Sequence, residues 1–484
     1  MKTNGTRITA LLLSALLLSA CQSGQITDTE NLTETTETKE TVTEETSTLD
    51  LLPTEDFGGY TFKILVYENM DEEHLAENTN AEPLNDAVYY RNEYVENRFN
   101  IYIAVTVQDH ATYSATVPKT AMAGEDAYDL YQIFLSYAAS NCIAAGYFMD
   151  WNEISYVSEN LGQPWWSQFG VEKLRINGKN FLLNGDLCHL TLGNTTGLFF
   201  NKTLFRSNDI EFPYQSVLDG TWTLDQLLTI CSDQNKDLNG DGNIDPDHDQ
   251  YGFMTTKYVA PIGMAIGCDL NTLLYDDDGM PKLNLNTERA VDAYEKMYQL
   301  MVESETPLVD YDANVVNSIP YKLFAEDRAL VVASCMIIAE LLRDMDSDFG
   351  IIPYPKLDAE QESYLSSVDA GTSSAAVMVT AADVSRTGLI VEALCEKGSE
   401  LVIPAYYDIV LQGKSVRDNE SQQMLDIIRQ TACFDPLYVY NFSNMGFFFM
   451  DCLTSKRAEF VSLYQKREKA TIKRIEKFWE SIDF

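Results

Sequence analysis

The sequence predicts an α/β protein of two lobes carried behind a long polar tether. Three observations predict it. Apolar strand-like runs alternate with stretches of helical spacing from Tyr60 onward. The body is about 430 residues long, too large for one ordinary core and suited to two. The stretch before Phe57 has no hydrophobic periodicity and is too polar to bury a core.

Residues 1–20 read as a secretory signal. Lys2 and Arg7 precede a short apolar run, Ile8 to Leu18, which ends at Leu18-Ser19-Ala20-Cys21. A spanning helix needs roughly 20 apolar residues, and this run falls short. The cysteine at the cleavage edge resembles the bacterial lipobox, where the thiol is diacylated, for example with palmitate, and becomes the new N-terminus. An ordinary signal peptide with a chance cysteine is the other reading. Residues 21–56 follow as a Thr- and Glu-rich tether, as in Thr33-Glu34-Thr35-Thr36-Glu37-Thr38. Like charges keep such a segment extended, with a mean reach of roughly 30 Å.

In the body, Tyr60–Tyr67 (YTFKILVY) reads as a strand, Leu84–Phe99 as a helix, and Ile101–Val107 as a strand. Tyr128–Leu135 is a buried-strand run, and Ala138–Ala145 a helix of small residues. Strands are expected again at Asn180–Leu183, Leu198–Phe200, Ala329–Ala333, Gly350–Ile352 and Ala375–Thr380. A helix opens at Thr223. Two more close the chain, Ser421–Thr431 and the basic, amphipathic Thr454–Ile482. The alternation argues for parallel strands.

The formal net charge is −40 and the hydrophobic fraction 45%. So acidic a surface repels nucleic-acid phosphates and anionic lipid, which excludes a nucleic-acid role; it also argues against polyanionic ligands, with a local basic pocket left open. Beyond Cys21 there are eight scattered cysteines with no CxxC pair, neither a zinc pattern nor a dense disulfide framework. Most sit among apolar residues and read as buried thiols. One or two disulfides stay open in an exported chain.

The sharpest motif runs from Asp237 to Asp249. Asp237, Asn239, Asp241, Asn243, Asp245 and Asp249 place oxygen side chains at the alternating spacing that wraps one Ca2+, and Gly242 supplies the sharp turn. His248 stands where the EF-hand pattern has Glu, so Asp247 or Asp249 is the expected substitute ligand. The reading is a structural calcium site, and the competing one an acidic turn without metal. Trp165, Trp166 and Trp222 stand beside turns or helix starts, where aromatic faces stack sugar rings or fill cores. No HExxH, GxSxG, P-loop or dinucleotide fingerprint occurs, which lowers the expectation of an enzyme.

Several segments, in order, resemble the family 1 extracellular solute-binding proteins of bacterial ABC importers. They are Gly124 to Leu130, Gly146 to Trp151, Pro164-Trp165-Trp166, Ile176 to Lys179, Thr221 to Asp225, Asp249 to Phe253 and Arg328 to Leu330. The resemblance spans most of 57–484. It implies a two-lobed type II periplasmic-binding-protein fold with a ligand cleft between lobes. Lobe 1 is expected at 57–187 and 348–398, and lobe 2 at 188–347 and 399–484. The resemblance implies a monomer on the outer face of the cell membrane that binds a carbohydrate, an oligosaccharide by preference, and passes it to ABC permease subunits without chemistry. Cleft positions implied are Tyr137, Asp186, Ser334 and Asp369, with Trp165, Trp166 and Trp222 as stacking faces. A secreted carbohydrate-active hydrolase or lyase, and a non-transport surface lipoprotein, are the alternatives.

Overall fold

A computed structural model describes residues 52–136, 141–277, 279–310, 318–342, 345–411 and 419–482. The signal segment, Cys21, the tether up to residue 51 and Tyr137 lie outside the described residues.

Two sheets organise the body. The first has the order β12-β3-β1-β2, from β1 (Tyr60–Tyr67), β2 (Ile101–Gln108), β3 (Leu130–Phe134) and β12 (Ser373–Ala376). The second has the order β10-β4-β9-β5-β8, from β4 (Thr196–Asn201), β5 (Tyr251–Thr256), β8 (Leu308–Val309), β9 (Ala329–Cys335) and β10 (Phe349–Ile352). Two small sheets pair β6 (Leu273–Tyr275) with β7 (Pro281–Leu283), and β11 (Ser366–Ser367) with β13 (Ala432–Cys433).

The parallel order expected from the alternation holds for β1 with β2 and β3, and for β5 with β8 and β9. β12 runs against β3, and β4 runs against both β9 and β10. Both reversed strands are the first strand after the chain passes from one sheet to the other. In each case the preceding strand belongs to another sheet, so no within-sheet crossover forces the strand parallel. Asn180–Leu183, expected as a strand, makes a single bridge, Leu183 to Ala375.

The chain passes between the lobes three times. The first passage covers residues 184–195, close to the expected Leu187. The second was expected at Asp348, but β10 completes the second sheet against β4, so the passage follows Ile352. These two passages lie side by side: the Asp369 N–H donates to the Asn194 carbonyl at 2.9 Å, and Thr195 bridges Val368. The third uses the helix Val384–Leu411, within which Ser399 falls. Its residues Leu389–Cys395 pack into the core of the first sheet with Phe62 and Ile64. Tyr406 and Val410 pack into the core of the second with Phe199 and Val332. Gly398 lies against the first passage, where a side chain would meet the Asp186 carbonyl.

Candidate ligand-binding cleft

In open α/β sheets, ligands sit beyond the carboxyl ends of the strands. In lobe 1 those ends carry aromatic side chains. Tyr67 closes β1, and its ring lies 5.5 Å from that of Phe134, which closes β3. His110 stands edge-on to Tyr67 at 5.7 Å. In lobe 2, Tyr258 follows β5, and its ring meets Phe447 at 6.2 Å. Phe447 in turn meets Tyr438 at 5.9 Å. The Lys257 ammonium lies 5.2 Å from the centre of the Tyr258 ring.

Between the two sets stands Asp369, on the second passage. Its Oδ1 accepts the Gly371 N–H at 2.7 Å and its Oδ2 accepts the Tyr438 hydroxyl at 3.0 Å. The residue as a whole is partly exposed, while burial of its carboxyl pushes the pKa up against those two hydrogen bonds. Gly371 has no room for a side chain, because a Cβ there would meet Asp369 Oδ1 at 2.7 Å and the Phe134 ring at 3.5 Å. The end of β3 is tied to the same passage: Ser136 N–H donates to the Ala370 carbonyl and Leu135 N–H to that of Thr372, both at 3.0 Å. One apolar cluster joins Phe169 of lobe 1 to Tyr258, Tyr438 and Phe447 around Ala370. Beside it opens a cavity of about 500 Å³ between Phe169 and Lys173 on one side and Tyr275 and Asp435 on the other. That volume is the size of small-molecule sites.

Of the residues singled out from sequence, Asp369 lies at this junction, and Ser334, partly exposed, lies near the end of β9 opposite Gly197. The three tryptophans do not face a cleft. The Trp165 and Trp166 indoles both donate to Glu392, at 2.9 and 3.1 Å, inside the lobe 1 core. Trp222 is buried in the lobe 2 part of the core and donates to the Pro353 carbonyl at 3.1 Å. An indole wholly used in this way presents no face to a ligand. Asp186 is also buried, and its carboxylate is held by Arg429 at 2.9 Å, so it is committed to joining the first passage to lobe 2. Sequence reading missed Tyr67, Phe134, Tyr258, Tyr438 and Phe447. For the first three the signal was present, since each ends or closely follows an apolar strand run.

The 237–249 loop is tightly self-bonded. Asp237 accepts the N–H groups of Gly240 and Gly242 at 2.6 and 2.7 Å, and both glycines have positive φ. Asp249, fully buried, accepts from Leu238 and Asp245 N–H at 2.8 and 2.9 Å. These backbone bonds, that to the Asp245 N–H first, draw the Asp249 pKa down. Among the described residues, the group of three His, Cys or acidic side chains whose ligand atoms gather within 4.8 Å is a different one: Glu73, His74 and Cys188. There both nitrogens of His74 are already faced, by Gln132 at 2.8 Å and Arg91 at 3.5 Å. Burial, with the Arg91 charge, keeps that ring neutral.

No protein-family model matches the sequence, and no curated protein does. Solved structures do match. The maltose/maltodextrin-binding domain from Bdellovibrio bacteriovorus bound to maltotriose aligns with a TM-score of 0.55 at 15% identity, over 86% of this chain and 100% of that one. An ABC substrate-binding protein from Listeria monocytogenes in complex with cycloalternan gives 0.52 at 12%, over 88% and 100%. UspC from M. tuberculosis gives 0.56 at 13%, over 86% and 100%. The chain has the two-lobed type II periplasmic-binding-protein fold. Such identities establish the architecture expected from the segments around Trp165 and Asp249, while the pocket chemistry has to be read from this chain. No helix among the described residues is long and apolar enough to cross a membrane.

Proposed function

We propose that this protein is a lipid-anchored extracellular solute-binding protein that captures a carbohydrate and delivers it to an ABC importer. The observation that carries the reading is Asp369, set between aromatic residues from both lobes on a passage that lobe closure must flex. Asp369 accepts hydroxyl hydrogen bonds, and Phe134, Tyr258 and Phe447 offer apolar faces to sugar rings. Closure then buries the ligand by hinge motion, and no bond is broken. The solved neighbours named with maltotriose and cycloalternan share this fold, which supports a sugar as ligand. Diacylation of Cys21 holds the body at the outer face of the membrane, since two acyl chains anchor stably where one is marginal. Calcium in the 237–249 loop is a structural support for lobe 2. The test is a glycan panel read by thermal shift and by product analysis. A ligand that raises the melting temperature without turnover supports the reading. Released product assigns the cleft to a carbohydrate-active enzyme, and a panel with no shift removes the sugar.

A further inference from the structure

The C-terminal stretch stands apart from the rest of this acidic chain. Residues 456–477 hold eight of its 34 Lys and Arg against three acidic residues, in a protein of net charge −40. The helix Phe460–Glu480 buries Phe460, Tyr464, Ile475, Phe478 and Trp479 against lobe 2. Its outer side carries Lys466, Lys469, Lys473, Arg474 and Lys477, all exposed. At 3.6 residues per turn, these five fall within one arc of roughly 140° and form a ridge about 16 Å long, with exposed Glu480 at its C-terminal end and Glu476 at its edge as the acidic neighbours on the same helix. None of them pairs with a carboxylate among the described residues, whereas Arg467 on the flank of the helix pairs with Asp451 at 2.7 Å. Elsewhere many basic groups are paired, as in Arg289–Asp358, Arg386–Asp129 and Arg429–Asp186, and single exposed lysines such as Lys63, Lys119 and Lys322 lie apart from one another in sequence. Among the described residues, a protein with 74 acidic side chains thus gathers five solvent-facing cations on one side of a single helix.

We propose that this ridge seats the body on an anionic lipid surface, with the five cations against headgroup phosphates. The apolar side of the helix is spent on packing, so the contact is electrostatic and nothing inserts. It reaches only about a Debye length, roughly 8 Å at physiological salt, so the acidic surface farther away is screened. The same membrane repels the other faces, which makes the ridge the face that settles. A second copy also offers acidic groups. Copies that repel one another are free to separate, however, whereas a chain acylated at Cys21 is held near phosphates at high effective concentration. The proposal thus rests on the anchor reading for its setting, and its test is independent of both the anchor and the sugar.

The experiment uses residues 21–484 carrying Cys21→Ser, so that no acyl chain contributes. Sedimentation with vesicles of equal parts phosphatidylglycerol and phosphatidylcholine is compared with pure phosphatidylcholine, at low and physiological salt. The expected result is phosphatidylglycerol-selective, salt-weakened binding. In K466Q/K469Q/K473Q it falls by roughly a hundredfold, at about fivefold per basic group. The variant should keep its melting temperature and any thermal shift with the sugar. Absence of selectivity, or binding unchanged in the variant, overturns the proposal and leaves the carbohydrate reading standing. Low-salt dimers that the variant abolishes, without vesicle binding, assign the ridge to a second copy and overturn it as well.

Discussion

Raising the pH through the neutral range should destabilise this protein through Glu392. Its side chain is fully buried on the helix that links the lobes, with Oε1 and Oε2 each accepting a tryptophan N–H. Burial pushes its pKa from 4.5 to about 8, with the nearby Glu396 adding to it and the two indoles opposing. Between those two values the folded chain holds a proton that the unfolded chain has released. Stability therefore falls as pH rises: the contribution is fully present below 4.5 and lost above about 8. At about 1.4 kcal/mol per pK unit, the loss is at most roughly 5 kcal/mol, a large share of the ~5–15 kcal/mol typical of a domain. Glu73, fully buried beside the first passage and pushed to about 7 mainly by burial, acts in the same direction. His74 and His189, held neutral by burial, act in the opposite one below 6.5, so the comparison with a Glu392 variant is what isolates this group. The carboxyls held down by hydrogen bonds, such as Asp109 and Asp249, titrate below this window and leave the slope alone.

The assay is urea unfolding at intervals from about pH 5 to about pH 9, on the wild type and E392Q. Glutamine does not titrate, and its amide NH2 points a donor at one indole N–H, so E392Q should cost about 1–3 kcal/mol at low pH. As pH rises the wild type loses stability faster, and the gap should close and then reverse. Parallel curves for the two proteins across the whole window would refute the reasoning, because Glu392 would then be ionised in the folded chain throughout, as it is in the unfolded one.

The remaining predictions concern the cleft, the core and the loop. F447A should weaken sugar binding about tenfold by calorimetry while the melting temperature changes little, since a partly exposed ring adds area to a ligand more than to the core. W222A should do the opposite, costing about 3–5 kcal/mol of stability in urea and leaving the affinity of the folded protein unchanged. Chelator should lower the melting temperature, and D237A, which also frees the Gly240 and Gly242 N–H groups, should abolish that response. An unchanged melting temperature with chelator removes the metal.

What was legible in the sequence follows from where each piece of information resides. The runs at Tyr60–Tyr67 and Ile101–Gln108 became strands because their apolar, β-branched pattern is local. The second passage was misplaced because Phe349–Ile352, buried throughout, says nothing about which sheet it joins. The tryptophans show the limit more sharply. Trp165 has the same chemistry in a cleft or a core, and Glu392, 227 residues further along, decides between them. The cleft itself was partly readable. Strand ends are predictable, and an aromatic residue at the end of an apolar run, as at Tyr67 and Phe134, already has the position a ligand needs. Asp369 was reachable from sequence by resemblance alone, since its place depends on two passages pairing across Asn194. Net charge has a related limit. A value of −40 argued mildly against polyanionic ligands and left a local basic site open, because a sum carries no information about distribution; in this chain five exposed cations share one side of the helix Phe460–Glu480. A titration of vesicle binding against salt reads that distribution directly, because its slope counts the cations engaged at the surface and is blind to the carboxylates beyond the screening length.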